Sequence, residues 1–260
     1  MVYPPVQRLP HKFKKLPHKL KKLVDGQSLA SARRHTLRLL RPNRFRLQTS
    51  RVIETIDLQR FDQIRRRYII KRPSADWPKF LDLERWININ IRRIREIELD
   101  VARPKRILDL GCGAGYFLYI AQLLGHEGVG LDLDQLPMFR DITRLLGVPR
   151  VIRRIRAFDP LPNLGKFDVV TAFLICFNNH KQPDLWGVPE WEFFLDDLAK
   201  HMTPRGRAWL ELNQEYDGTF YTSELKKFFQ KRGAKIDRHK VNFDSGVLAR
   251  LKFPSCGVKG

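Results

Sequence analysis

"ILDLGCGAGYF", Ile107 to Phe117, decides the fold of this 260-residue chain. An apolar run around an acid, Asp109, breaks into glycines at alternate positions, Gly111, Gly113 and Gly115. That pattern predicts a buried strand turning sharply into a helix. Glycine suits such a turn because the backbone must approach a ligand where a Cβ would clash, and the next helix presents free N–H groups. The spacing is GxGxG with Tyr116 following, so the turn alone does not choose among nucleotides. Asp109 discriminates. In a dinucleotide site the turn faces a pyrophosphate, which a carboxylate two residues before Gly111 repels, whereas a ligand bringing an ammonium group there is attracted. The local alternative is that Asp109 bonds the loop's own amides or caps the helix.

Working outward, Gly128-Val129-Gly130-Leu131-Asp132 reads as the second strand and ends in an acid where a nucleotide fold places the carboxylate for the ribose hydroxyls. Leu133 follows as an apolar surface for an adenine. After a third strand, Arg150 to Ile155, comes Ala157-Phe158-Asp159, whose acid is placed to accept an exocyclic amine while Phe158 packs beside it. Further strands are expected at Phe167 to Phe173 and Arg207 to Leu212, with helical patterns at Phe117 to Leu124, Leu136 to Leu146 and Glu190 to Met202. A helix capped by Ser223 runs to Gln230, and strands near Lys235 to His239 and Val247 to Phe253 read as a hairpin-like pair at one sheet edge. The alternation predicts an α/β doubly wound, mostly parallel sheet covered on both faces, with its ligand at the carboxyl ends of the strands.

On these motifs, residues 107 to 213 resemble the core of the class I S-adenosylmethionine-dependent methyltransferases. Ile107 to Gly115 matches the family's glycine-rich first motif, Asp132 its ribose acid, Asp159 its adenine-side acid and Phe167 to Phe173 its fourth strand. Met202-Thr203-Pro204-Arg205-Gly206 is similar to the turn before the fifth strand, with Arg205 where a glycine is usual. The resemblance implies a seven-stranded Rossmann-like sheet with a reversed edge strand. It implies S-adenosylmethionine as cofactor, S-adenosylhomocysteine as product and no metal. The implied cofactor contacts are Asp109, Gly111, Cys112, Gly113, Gly115, Asp132, Leu133, Phe158, Asp159 and Phe173.

Methyl transfer from a sulfonium is a direct displacement, so such an enzyme chiefly aligns its acceptor and excludes water. A base is required only for a poorly ionised acceptor. His180, in Phe177-Asn178-Asn179-His180 past the fourth strand, is the candidate, against the simpler reading of a surface histidine. Asn178 and Asn179 either orient an acceptor or form a turn. This stretch lacks the Asn/Asp-Pro-Pro-aromatic motif usual in methylation of exocyclic base amines, which leaves oxygen, ring-carbon or other amine acceptors open; the leading expectation is a small-molecule or sugar-like acceptor methylated on oxygen. Glu215 and Tyr216, past the fifth strand, are candidates to border the acceptor pocket. Cys112 reads as a packing residue rather than a nucleophile, since no His or Lys lies near it in sequence.

Composition bounds the alternatives. Three cysteines without a CxxC pair support neither a disulfide framework nor a thiolate zinc site. His11 and His18 lack ligand partners. No apolar run reaches membrane-spanning length and no signal-peptide core is present, so a cytoplasmic protein is expected. The net charge of +21 is uneven, since residues 1–51 carry 14 Lys and Arg against Asp25 alone. That region holds the imperfect repeat LPHKFKK-LPHKLKK, whose composition predicts a mobile cationic arm over residues 1–50. RNA, anionic membrane or an organelle-import system are its candidate partners. Residues 51–101 carry apolar residues at helical spacing, Ile87, Ile91 and Ile94 with Trp86, Ile89 and Ile97, and read as a helical cap on the cofactor domain at 102–260. Two further readings stand beside a small-molecule methyltransferase: an RNA methyltransferase using the arm, and a non-catalytic cofactor-binding interaction protein.

Overall fold

A computed structural model describes Thr36 and residues 47–71, 77–175, 177 and 185–248. Its helices and strands in chain order are α1 (Thr49–Ile53), α2 (Leu58–Lys71), a 3-10 turn (Trp77–Leu81), α3 (Leu83–Glu96), a second 3-10 turn (Leu99–Val101), β1 (Arg106–Leu110), α4 (Tyr116–Leu123) and β2 (Glu127–Asp132). There follow α5 (Pro137–Leu145), β3 (Arg150–Ile152), β4 (Phe167–Ile175), α6 (Val188–Lys200), β5 (Met202–Leu212), α7 (Ser223–Lys231), β6 (Lys235–Asp237), β7 (Lys240–Asp244) and α8 (Ser245–Leu248).

The strands form one seven-stranded sheet in the order β3-β2-β1-β4-β5-β7-β6. The first five run parallel, and β7 enters antiparallel between β5 and β6. This is the mostly parallel, Rossmann-like doubly wound sheet with a reversed strand at its β5 side. Both faces are covered, and alternate residues of each strand feed opposite cores. Ile107 and Val169 belong to the core with α3, α4 and α5, whereas Leu108 and Val170 belong to the core with α6 and α7.

The helices N-terminal to β1 complete the first core. Asp82 caps α3 by accepting from the Arg85 N–H at 3.0 Å, and its stripe of Ile87, Ile91 and Ile94 is fully buried. Polar ties add register. The Tyr116 hydroxyl donates to the Phe80 carbonyl at 2.8 Å, and that of Tyr68 on α2 donates to Asp141 Oδ2 on α5 at 2.7 Å. The cap is thereby fixed over the start of α4, beside the glycine turn.

Several local expectations shift. Thr222, not Ser223, caps α7, accepting from the Leu225 N–H at 3.1 Å. The second late strand lies at Lys240–Asp244 rather than near Val247–Phe253, because Arg238 in the left-handed region (φ 52°) closes a tight hairpin directly after β6. Residues 245–248 are helical and 249–253 lie outside the described residues. The turn expected at Met202–Gly206 is an irregular start to β5. Between the pairings Phe167–Met202 and Val169–Arg207, β4 advances two residues and β5 five.

Candidate functional site

The carboxyl ends of β1, β2 and β4 lie side by side at one sheet edge, with Asp109 in register with Gly130 on one side and Thr171 on the other, and β4 running on to Ile175. A cleft of about 910 Å³ opens at this edge between the glycine turn, the cap and the segments after β3 and β4. Gly111, Gly113 and Gly115 all hold the left-handed conformation, at φ 69°, 54° and 77°, which a side-chain-bearing residue there would resist. A Cβ on Gly111 would also collide with the Ile175 side chain. Gly130 on β2 leaves room for Cys112, so the turn packs directly onto the neighbouring strand. Cys112 is therefore a buried packing residue; burial beside Asp109 and Asp132 drives its thiol pKa far up, away from nucleophilic use.

The two acids of the turn have different surroundings. Asp132 spends both carboxylate oxygens on the backbone: Oδ2 accepts from the Gly113 N–H, and Oδ1 from the Leu133 N–H at 2.6 Å. Each oxygen retains a second lone pair, so the carboxylate can still accept two hydroxyls. Burial raises its pKa against the lowering effect of those amides and of Arg150, whose guanidinium holds the following turn through the Leu133 carbonyl and Asp134. Asp109 lies deeper, only 2% exposed, with Oδ1 accepting from the Thr171 hydroxyl at 2.6 Å. Burial pushes its pKa to about 7, although Thr171 and Arg93 favour the ionised form. A carboxyl so desolvated stands to gain much from a cation delivered to it.

Arg93, on the cap helix α3, enters this floor. Its Nη2 reaches Glu211 Oε2 at 3.3 Å, and its guanidinium lies 4.2 Å from the centre of the Phe173 ring. Lys240 Nζ approaches the same glutamate at 3.8 Å. Burial lowers the arginine's pKa while Glu211 and Asp109 hold its proton. Motif spacing gave no sign of this residue, since it lies within an apparently structural stripe. Lys79, Phe80, Trp86 and Asn90 also reach the cleft from the cap, where Phe80 stacks on Trp86 at 4.7 Å.

The structure brings Asp109, Gly111, Cys112, Gly113, Gly115, Asp132, Leu133 and Phe173 together on the cleft wall. Phe158 and Asp159 are placed elsewhere. Phe158 is 56% exposed and packs edge-on against Phe193, while Asp159 binds Arg153 Nη2 with both oxygens, at 2.8 and 2.9 Å. Arg153, Ile155 and Ala157 line the cleft from this segment instead. Glu215 lines a small adjoining pocket and Tyr216 points to solvent, whereas Asn213 borders the cleft itself. Asn178, Asn179 and His180, like His11 and His18, lie outside the described residues. Among the described residues no cluster of His, Cys, Asp and Glu suits a metal ion, and no helix is long and apolar enough to cross a membrane.

No protein-family model matches the chain, and no curated protein matches its sequence. Solved structures resemble it. One is S-adenosylmethionine-bound CalS10, an amino pentose methyltransferase from Micromonospora echinaspora: 28% identity over 48% of this chain and 49% of that one, TM-score 0.35. DesVI from Streptomyces venezuelae aligns at 21% identity over 45% and 48% of the two chains, TM-score 0.34. A methyltransferase from Pyrococcus furiosus aligns at 16% identity over 62% and 84%, TM-score 0.44. The chain thus spans about half the length of CalS10 and DesVI.

Proposed function

We propose that this protein is an S-adenosylmethionine-dependent methyltransferase acting on a small-molecule or sugar-like acceptor, with oxygen as the methylated atom. The observation that carries the reading is the pair of acids on β1 and β2 that flank one glycine turn. Asp132 is held by the Gly113 and Leu133 amides, which suits the role of a ribose acceptor, and the buried Asp109 carboxyl would be stabilised in its ionised form by a cationic group beside it. A phosphate-bridged dinucleotide would bring its pyrophosphate towards the Asp109 carboxylate.

The residues fit the cofactor on three counts: a turn whose glycines leave no Cβ in the way, a carboxylate with free lone pairs, and a desolvated acid suited to an ammonium. When bound, S-adenosylmethionine supplies a methyl group on sulfur that is open to displacement. Asp132 would orient the ribose and Asp109 the amino group, while Leu131 and Leu133 offer apolar surface to the base. Phe80, Trp86 and Phe173 exclude water, and a dry, aligned site is what a displacement of this type chiefly requires.

Isothermal titration with S-adenosylmethionine and S-adenosylhomocysteine tests the cofactor: micromolar binding of both is expected, and binding of neither removes the assignment. A labelled-methyl assay on cell extract separated into RNA, protein and metabolite pools tests the acceptor. Label confined to RNA would favour the RNA methyltransferase reading.

A further inference from the structure

Resting on the methyltransferase reading, we infer that the acceptor is a phenol, a hydroxyl compound built on an apolar aromatic ring, held at the β4–β5 end of the cleft by Leu174, Phe177 and Trp186. The position follows from the sheet, whose ligand edge runs β3-β2-β1-β4-β5. The cofactor reading occupies the first part of that edge, with the base at Leu133, the sugar at Asp132 closing β2 and the amino group at Asp109 on β1. What remains of the cleft belongs to β4, the segment after it and the end of β5, where Phe173, Leu174, Ile175, Phe177, Trp186 and Asn213 line it.

Leu174 is held there under strain. Phe173 packs with the first core and Ile175 with the second, although residues two apart in a regular strand share a face. A bulge takes up the difference: from Phe173 to Ile175 β4 advances two residues while β5 advances one, from Glu211 to Leu212. Leu174 is the extra residue, held at φ 58°, a conformation that bulky side chains resist, and left 46% exposed on the cleft. Ile175 meanwhile abuts Gly111, so the bulge sits next to the glycine turn. A strained leucine turned out beside the cofactor's turn offers its surface to an apolar group of the acceptor.

Phe177 and Trp186 continue that surface. Their ring centres lie 5.3 Å apart, and Trp191 packs on both, at 4.7 and 5.6 Å. Rings braced in this way form a rigid wall on which a further ring packs edge to face or offset. The same two residues also line an adjoining pocket of about 30 Å³, together with Trp191, Phe220 and Tyr221. That space admits a methyl-sized substituent but not a second ring. A phenol also suits the displacement: with a pKa of about 10, like that of tyrosine, it releases its proton far more readily than a sugar hydroxyl.

The test uses the full chain saturated with S-adenosylhomocysteine and titrated, by saturation-transfer NMR, with 4-methylphenol and in a second arm with methyl glucoside. The phenol is expected to bind at least tenfold more tightly than the sugar. Leu174→Gly suits the left-handed backbone and removes only a half-exposed side chain, so the variant should fold. It should weaken phenol binding at least threefold and leave S-adenosylhomocysteine affinity within twofold of the parent. No binding of the phenol, equal or tighter binding of the sugar, or unchanged phenol binding in the variant overturns the inference. A parallel loss of S-adenosylhomocysteine in the variant assigns Leu174 to the cofactor and overturns it as well. If S-adenosylhomocysteine fails to bind the parent, the cofactor reading falls alone, and the same titrations of the free protein still decide the ring site. In the labelled-methyl assay, label that passes into ethyl acetate from acidified extract supports the inference, and label left in the aqueous phase overturns it.

Discussion

Asp132 and Asp109 stand on adjacent strands, two register positions apart, yet their chemistry diverges with their neighbours. Asp132 organises the turn through two amides and, in the proposed role, holds a ribose. Asp132→Ala removes charge-assisted bonds of roughly 1.5–3 kcal/mol, so calorimetry should find cofactor affinity lowered about 10- to 100-fold. Asp109 makes a different prediction, through pH. Its pKa is raised from 3.8 to about 7 by burial. A carboxyl raised on folding contributes its full stability below the unfolded value and loses it as pH climbs through the folded one, here between about 4 and 7. Asp109→Asn should therefore gain urea resistance relative to the parent at pH 8 compared with pH 5. An ammonium beside the carboxylate reverses the sign for binding. Parent cofactor affinity should rise with pH through 7, being about tenfold weaker at pH 6 than at pH 8, and the Asp109→Asn variant should lose that slope.

The cap helix α3 shows how an element can serve packing and chemistry together. Its buried face is aliphatic, while Arg93 leaves the edge of that face to meet Glu211 on β5, linking the cap to the far side of the sheet's ligand edge. Removing one partner of a buried ion pair leaves the other uncompensated, at a cost of about 3–5 kcal/mol. Lys240 remains near Glu211, so Arg93→Ala should fall at the lower end, about 3 kcal/mol by urea denaturation. Arg93→Met combined with Glu211→Gln should recover much of that loss, since neither member of the buried pair is then left charged without the other. A double variant as unstable as Arg93→Ala would mean that the arginine's charge serves a group besides Glu211, Asp109 being within its reach.

At the scale of the whole molecule, the described residues from 47 onward belong to one compact unit that holds every described residue of the cleft. A chain beginning at Phe45 should bind S-adenosylhomocysteine within about twofold of the full-length value, while losing much of the basic excess of residues 1–51. A marked fall in affinity would assign the arm to the site. The sequence by itself determined the features held by neighbouring residues. Strand β1, the left-handed glycine turn, the acid closing β2 and the stripe of α3 each follow from a backbone angle or a side-chain period that a short stretch must satisfy. Tertiary structure alone decided what depends on distant partners. It placed Lys79 and Arg93 in the cleft, buried Asp109 against Thr171, and drew Asp159 away to Arg153. The hairpin likewise closed at Lys240 rather than later. A local pattern fixes conformation, whereas burial and charge pairing are settled only when segments far apart in the chain compete for the same space.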